Sequence, residues 1–157
     1  MEEMTESPIR IVAFLCNWCS YAGADLAGTT RLKHRADVRV VRVPCSGRID
    51  PAFILKAYER GADAVIIGGC HPGDCHYVSG NLNARRRFFV IKQLLEFLGI
   101  EPERFVVTWC SAAEGEKWAE VVNEVCETIA AVGPFDRYKK LTSHIRSPGK
   151  EIALGEE

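Results

Sequence analysis

Residues 68–77 read GGCHPGDCHY, so Cys70 and Cys75 flank a turn made of His71, Pro72, Gly73 and Asp74. Proline followed by glycine makes a tight turn, which is expected to bring both sulfurs to one side of it. A second pair, Cys16 and Cys19 in CNWC, has C-x-x-C spacing. Thiols fixed in this way can form a disulfide, hold zinc, hold an iron–sulfur cluster, or simply pack.

The composition narrows the choice. The chain has 157 residues, 47% of them apolar, and a formal net charge of -1. A chain of that size buries roughly 68–70% of its unfolded surface, so it needs no metal merely to have a core. Near-neutral charge argues against non-specific nucleic-acid binding and against an anionic membrane surface. No apolar run approaches the ~20 residues of a membrane span, and the opening MEEMTESP is acidic where a signal peptide is basic and then apolar. The expectation is a cytoplasmic protein. In that reducing compartment the seven cysteines, an odd number, are poor disulfide partners and better candidates for metal binding or redox chemistry.

Four short apolar runs, each ending in a cysteine, position these thiols: IRIVAFLC (9–16), VRVVRVPC (38–45), AVIIGGC (64–70) and RFVVTWC (104–110). Runs of this length and β-branched content read as strands, and AVIIGG lacks the alternation of a strand with one wet face. Helices are expected between them. One spans 50–60, with Asp50 as N-cap, Pro51 at the first position and Gly61 past the end. Another runs from Asn81 to Leu98, and a third from a Ser111/Glu114 capping box to about Val132. A helix over about 20–34 is diluted by Gly23 and Gly28. Strand–helix alternation implies an α/β, doubly wound, mostly parallel sheet of about four strands with flanking helices, flavodoxin-like or Rossmann-like. The expected organisation is a flexible start (1–8), an α/β domain (9–133) and an extended tail (134–157).

In an open parallel sheet the carboxyl ends of the strands form one edge, and ligands bind there. Cys16, Cys45, Cys70 and Cys110 end strands; Cys19 joins them through C-x-x-C and Cys75 through the HPGD turn. Cys126 lies inside the last helix on its apolar side and reads as core. A thiol at a helix start has a lowered pKa, so Cys16 and Cys19 alone would suit a thiol–disulfide oxidoreductase. That leaves Cys45, Cys70 and Cys75 unexplained. The two pairs could equally supply a zinc-stapled adaptor. A 2Fe-2S cluster also takes four thiolates, and the N–H groups around Gly73 offer a concavity suited to anionic sulfur. His71 and His76 adjoin cysteines and read as tuning or surface residues.

The strings CNWCSYAGADLAG, VPCSGRIDP, GGCHPGDCHY with GNLNARRR, and SAAEG carry a specific resemblance. Over about Ile9 to Gly133 the chain resembles the iron–sulfur delta subunit of the methyl-viologen-reducing hydrogenase, which links that hydrogenase to heterodisulfide reductase. The resemblance implies a 2Fe-2S cluster as cofactor and five family cysteines, Cys16, Cys19, Cys45, Cys70 and Cys75, as its metal ligands. Five thiols for four positions leave one over, and Cys16 or Cys19 is expected to be that one. His71 and Gly73 are expected beside the cofactor, with Cys110 as a reserve ligand. The implied role is electron relay, without a chemical step of its own. Electrons would pass from a hydrogenase or formate dehydrogenase to the flavin subunit of heterodisulfide reductase in methanogenesis.

Other marks have plainer readings. Arg85, Arg86 and Arg87 spread over about 200° of a helix, so they cannot all face one site. Beyond them, FFVIKQLLEFL has one narrow polar stripe, and an apolar surface that wide suits deep core or an interface. Trp18 and Trp109 flank cysteines and could shield them. Gly68-Gly69 belongs to no phosphate-binding motif.

Overall fold

A computed structural model describes residues 9–136; the expected flexible start (1–8) and residues 137–157 of the expected tail lie outside the described residues. The chain runs β1 (Ile11–Cys16), α1 (Ser20–Thr29), β2 (Val38–Val43), α2 (Pro51–Glu59), β3 (Ala64–Gly69), α3 (Gly80–Phe97), β4 (Phe105–Trp109) and α4 (Gly115–Val132). The strands form one parallel sheet in the order β2-β1-β3-β4. This is the doubly wound α/β fold expected from the alternation of elements.

Period-two alternation splits the core into two layers, one on each face of the sheet. Ile11, Ala13 and Leu15 of β1 pack with Ala64 and Ile66 of β3 against Trp118, Val122, Val125, Cys126 and Ile129 of α4. Phe14, Val65 and Ile67 face the other way, onto Ile54 and Tyr58 of α2 and Phe88, Ile91 and Leu95 of α3. All six residues of β3 are buried, as a central strand covered on both sides requires. Cys126 is fully buried in the α4 layer, the core position expected of it.

The helix starts follow local chemistry. Asp50 caps α2 by accepting from the Ala52 N–H at 2.8 Å, and Pro51 occupies the first turn, where no N–H is needed. The expected capping box at Ser111 forms differently. Glu114 accepts from the Ser111 N–H at 2.6 Å, but residues 111–114 close a separate turn and α4 begins at Gly115. Helix α1 stops at Thr29, short of the expected 34.

At the end of the sheet remote from the cysteines, buried Asp63 ties the chain together. Its carboxylate accepts from the Arg10 and Phe135 N–H groups at 2.9 and 2.8 Å. Phe135 is buried against Tyr58, ring centroids 5.6 Å apart, so the core reaches two residues past Gly133.

Candidate metal centre

Because the order is β2-β1-β3-β4, successive connections leave β1 in opposite directions, and the crevice between β1 and β3 is the topological switch point. Cys16 ends β1, Cys19 precedes α1 and Cys70 follows β3, so all three converge there. Their sulfurs lie within 4.8 Å of one another and all three are buried. The Cys16 and Cys70 Sγ atoms are 3.7 Å apart. A second group forms beside the first: Cys45, after β2, and Cys75 have their Sγ atoms 3.9 Å apart. The turn of Pro72 and Gly73 therefore does not set its own two cysteines against each other. Cys70 faces Cys16 and Cys75 faces Cys45.

Close backbone approach makes this possible. A Cβ at Gly68 would lie 2.6 Å from a Leu15 methyl and 2.7 Å from Ser20 Cβ. A Cβ on Gly80, the first residue of α3, would collide with Cys45 Sγ and stand 3.1 Å from Cys75 Sγ. The α3 N-terminus is thus pressed onto the Cys45–Cys75 pair, its positive dipole end toward the sulfurs.

The charge distribution follows from these contacts. The Cys16 thiol is pulled down to about 5, chiefly by a hydrogen bond with Cys19, with the Trp18 and Ser46 N–H groups helping against burial. Cys19 moves the opposite way, because the Cys16 thiolate holds its proton and burial adds to the effect. Burial raises Cys70 to about 11, with the Cys16 charge adding to it against the Cys19 hydrogen bond. In the second group, burial raises Cys45. Burial opposes ionisation of Cys75 too, but the Asn81, Tyr77 and Gly80 N–H groups and the Cys45 thiol outweigh it and hold Cys75 low. Each group therefore contains one thiol whose ionisation its neighbours favour, Cys16 and Cys75.

Polar side chains complete the site. Asn81 Nδ2 donates to the Cys70 and His71 carbonyls at 3.1 and 2.6 Å, fixing the loop after β3. Ser46 Oγ and Asn81 Oδ1 are buried and have no hydrogen-bond partner among the described residues. Such orphans are rare in folded proteins and point to a group that satisfies them.

The remaining expected site residues make other contacts. His71 points to Glu114, Nε2 to Oε2 at 2.6 Å, tying the Cys70 loop to the turn before α4. Gly73 has φ +94, the left-handed backbone that favours glycine, but a Cβ there would meet nothing within 4 Å. Cys110 donates to the Ser111 and Glu114 carbonyls at 3.4 Å each and packs into the α4 layer. Trp18 stacks on His76 with centroids 3.7 Å apart and donates to Tyr77 Oη at 3.3 Å, forming an exposed aromatic group on the cysteine loops. Arg87 is spent inward, on the Gly47 and Ile49 carbonyls at 3.0 and 2.8 Å. Sequence reading missed Ser46, Asn81 and Gly80. Ser46 lies in VPCSGRIDP and Gly80 and Asn81 in GNLNARRR, strings that carry the resemblance, but only the folded chain shows Ser46 and Asn81 buried and Gly80 pressed onto Cys45 and Cys75.

Fold and site together define a doubly wound α/β domain with a buried polythiol centre at its switch point. The chain belongs to the family described as methyl-viologen-reducing hydrogenase, delta subunit, whose model matches residues 11–133. It is 53% identical over 125 residues to an iron-sulfur subunit of the vhc F420-non-reducing hydrogenase of Methanococcus voltae, covering 80% of this chain and 87% of that one. It is 55% identical over 126 residues to an iron-sulfur subunit of the F420-non-reducing hydrogenase of Archaeoglobus profundus, covering 80% and 92%. It also matches part of a much longer protein of Methanosarcina acetivorans, which belongs to the ferredoxin/F420H2-dependent CoB-CoM heterodisulfide reductase. That match is 44% identical over 125 residues, or 80% of this chain and 16% of the relative. Among the described residues no helix is long and apolar enough to cross a membrane.

Proposed function

We propose that this chain is a cytoplasmic electron-transfer subunit holding one 2Fe-2S cluster on four of its five gathered cysteines. One observation carries the reading: the group of three sulfurs contains the close contact Cys16–Cys70 at 3.7 Å, and the second group is the pair Cys45–Cys75 at 3.9 Å. At the ~2.3 Å metal–thiolate distance of a tetrahedral site, two ligand sulfurs stand about 3.8 Å apart. Two such edges suit a two-iron unit, one pair to each iron. Cys19 is then the surplus thiol. It keeps its proton and lies 3.5 Å from Ser20 Oγ.

When bound, such a cluster takes up and releases one electron at a time. The chain's own residues do the rest. Ser46 Oγ–H is a free donor for sulfur. The amides of Gly47, Tyr77, Gly80 and Asn81 face the Cys45–Cys75 thiols and favour their ionised form. Burial of all five cysteines keeps water off the site.

The relatives' names support the place of this relay: some are iron–sulfur subunits of a hydrogenase, and one is a heterodisulfide reductase component that contains a similar stretch. In our reading the chain passes electrons from a hydrogenase or formate dehydrogenase to the flavin subunit of heterodisulfide reductase in methanogenesis. The test is reconstitution: anaerobic full-length chain, reduced by hydrogenase under hydrogen, should reduce the reductase, and chain lacking iron should not. Equal transfer without iron would overturn the reading.

A second reading rests on the opposed shifts of Cys16 and Cys19, which suit a thiol–disulfide oxidoreductase. It is the weaker one, because the Cys16 residue that would attack is 1% exposed.

A further inference from the structure

The segment joining Cys75 to α3 contains a strained backbone position. Val78 has φ 68. A β-branched side chain in the left-handed region is strained, where glycine or asparagine would not be. The tight turn imposes the angle: the Val78 N–H donates to the Cys75 carbonyl at 2.9 Å and the Ser79 N–H to the Tyr77 carbonyl at 2.8 Å. Burial does not offset the strain, since Val78 is 84% exposed.

Helix α3 continues the same apolar surface. Its inward stripe, Asn81, Ala84, Phe88, Ile91 and Leu95, is buried. The opposite pole carries Leu82, Phe89, Val90 and Phe97, with Phe89 68% and Phe97 86% exposed. At 3.6 residues per turn these lie on one side of the helix, which they share with Arg86 and Gln93, so the outer face of α3 interleaves apolar and polar side chains. The outer strip starts beside the Trp18–His76–Tyr77 group on the cysteine loops. Positive charge borders it. Within α3, Arg85, Arg86, Arg87 and Lys92 stand against Glu96 alone, a net +3 in a chain whose formal total is -1, and of these Arg87 is the one turned inward. Arg86 lines two adjoining hollows, one with Arg48, Tyr77 and Asn83 and the other with Leu82, Arg85 and Phe89.

We propose that this strip, Tyr77, Val78, Leu82, Phe89 and Phe97 with Arg85 beside them and Arg86 among them, is the docking face for the protein that accepts electrons from the chain. That partner presents an apolar patch rimmed by carboxylates, the complement of an apolar strip beside arginines. The inference rests on the relay reading. A face that begins at the cysteine loops brings partner and cluster close, and electron transfer weakens steeply with distance. A lipid surface would satisfy the same side chains but offers no acceptor.

The test uses full-length, iron-loaded chain and purified, flavin-containing heterodisulfide reductase. Phe89→Asp and Arg86→Glu should each weaken binding at least tenfold, with iron content and absorption spectrum unchanged. Glu120→Gln on α4, across the sheet, should bind as wild type. Val78→Asn should raise the thermal unfolding midpoint while weakening binding; a merely structural residue would move both the same way. If the Phe89, Arg86 and Val78 variants all bind normally, the face is wrong and the relay reading stands. If iron-loaded wild type does not bind the reductase, the relay reading falls and this face with it. Binding of wild type to anionic vesicles instead, or a wild-type dimer that Phe89→Asp splits, would assign the strip to a membrane or a second copy and overturn the proposal.

Discussion

The sulfurs of Cys16 and Cys70 lie 3.7 Å apart across 54 positions of sequence. No local turn brings them together. Each ends a strand, β1 and β3 are neighbours in the sheet, and their carboxyl ends open the same crevice. The pair is a product of topology, so changes that spare the fold but crowd the crevice should act on the metal rather than on stability.

Gly80→Ala is such a change. Alanine favours a helix by roughly 0.5–1 kcal/mol over glycine in a helix interior. Here its Cβ would run into Cys45 Sγ and stand 3.1 Å from Cys75 Sγ. The expected result is unchanged helix content by circular dichroism with iron reduced by half or more. Gly73→Ala meets no atom within 4 Å, so its penalty is backbone strain alone. Full iron occupancy in Gly80→Ala would mean that α3 does not close on the sulfurs.

Ser46→Ala separates stability from potential. The hydroxyl is buried without a partner among the described residues, and an unsatisfied buried polar group costs about 1–3 kcal/mol. Without iron the variant should therefore be more stable by about that amount. Loaded with iron it should be harder to reduce, because a donor to the sulfurs stabilises the more negative state. Urea melts of the iron-free chain and a redox titration of the loaded one give the two readings. An unchanged potential would mean that the hydroxyl does not face the cluster.

Glu114 gives a pH signature. The Ser111 N–H, then His71, hold its carboxyl down at about 2, against 4.5 for a free one. A depressed carboxylate stabilises the fold fully above 4.5, and the contribution is lost as pH falls toward 2. Glu114→Gln should lower the unfolding midpoint at neutral pH, and the gap from wild type should narrow steadily below pH 4.5. A gap that stays constant on acidification would show that the ionised Glu114, held by the Ser111 N–H and His71, contributes nothing to stability.

Phe135 extends the core beyond α4. Its ring packs on Tyr58 and its N–H reaches Asp63 Oδ1. Phe135→Ala should cost about 3–5 kcal/mol, the usual penalty for emptying a buried aromatic site. A denaturant series against wild type gives the reading, and an unchanged midpoint would mean that the Phe135 ring adds nothing to the core.

The parallel strands, both core layers and the convergence of thiols were legible in the sequence, because burial on both faces and cysteines at strand ends are written in consecutive residues. The α4 start was not. SAAE satisfies a capping-box pattern, yet the residues close a turn in which Glu114 serves His71 as well. Phe135 follows a Gly-Pro that reads as an ending, and its burial depends on Asp63, far away in sequence. Ser46, Asn81 and Gly80 act through close approach to sulfurs from other elements, which no periodicity records. Val78 was equally silent, since its backbone angle comes from the turn that precedes it.

The central claim is that two sulfur pairs hold two irons, and metal analysis of anaerobically prepared cysteine variants tests it most directly. Wild type should contain two irons and two inorganic sulfides per chain and show a paramagnetic signal on one-electron reduction, as a 2Fe-2S cluster requires. Cys45→Ser, Cys70→Ser and Cys75→Ser should each lose most of the iron. Cys19→Ser, Cys110→Ser and Cys126→Ala should keep it. A colourless wild-type protein with one zinc per chain, or full iron in all three of the first group, would contradict the account.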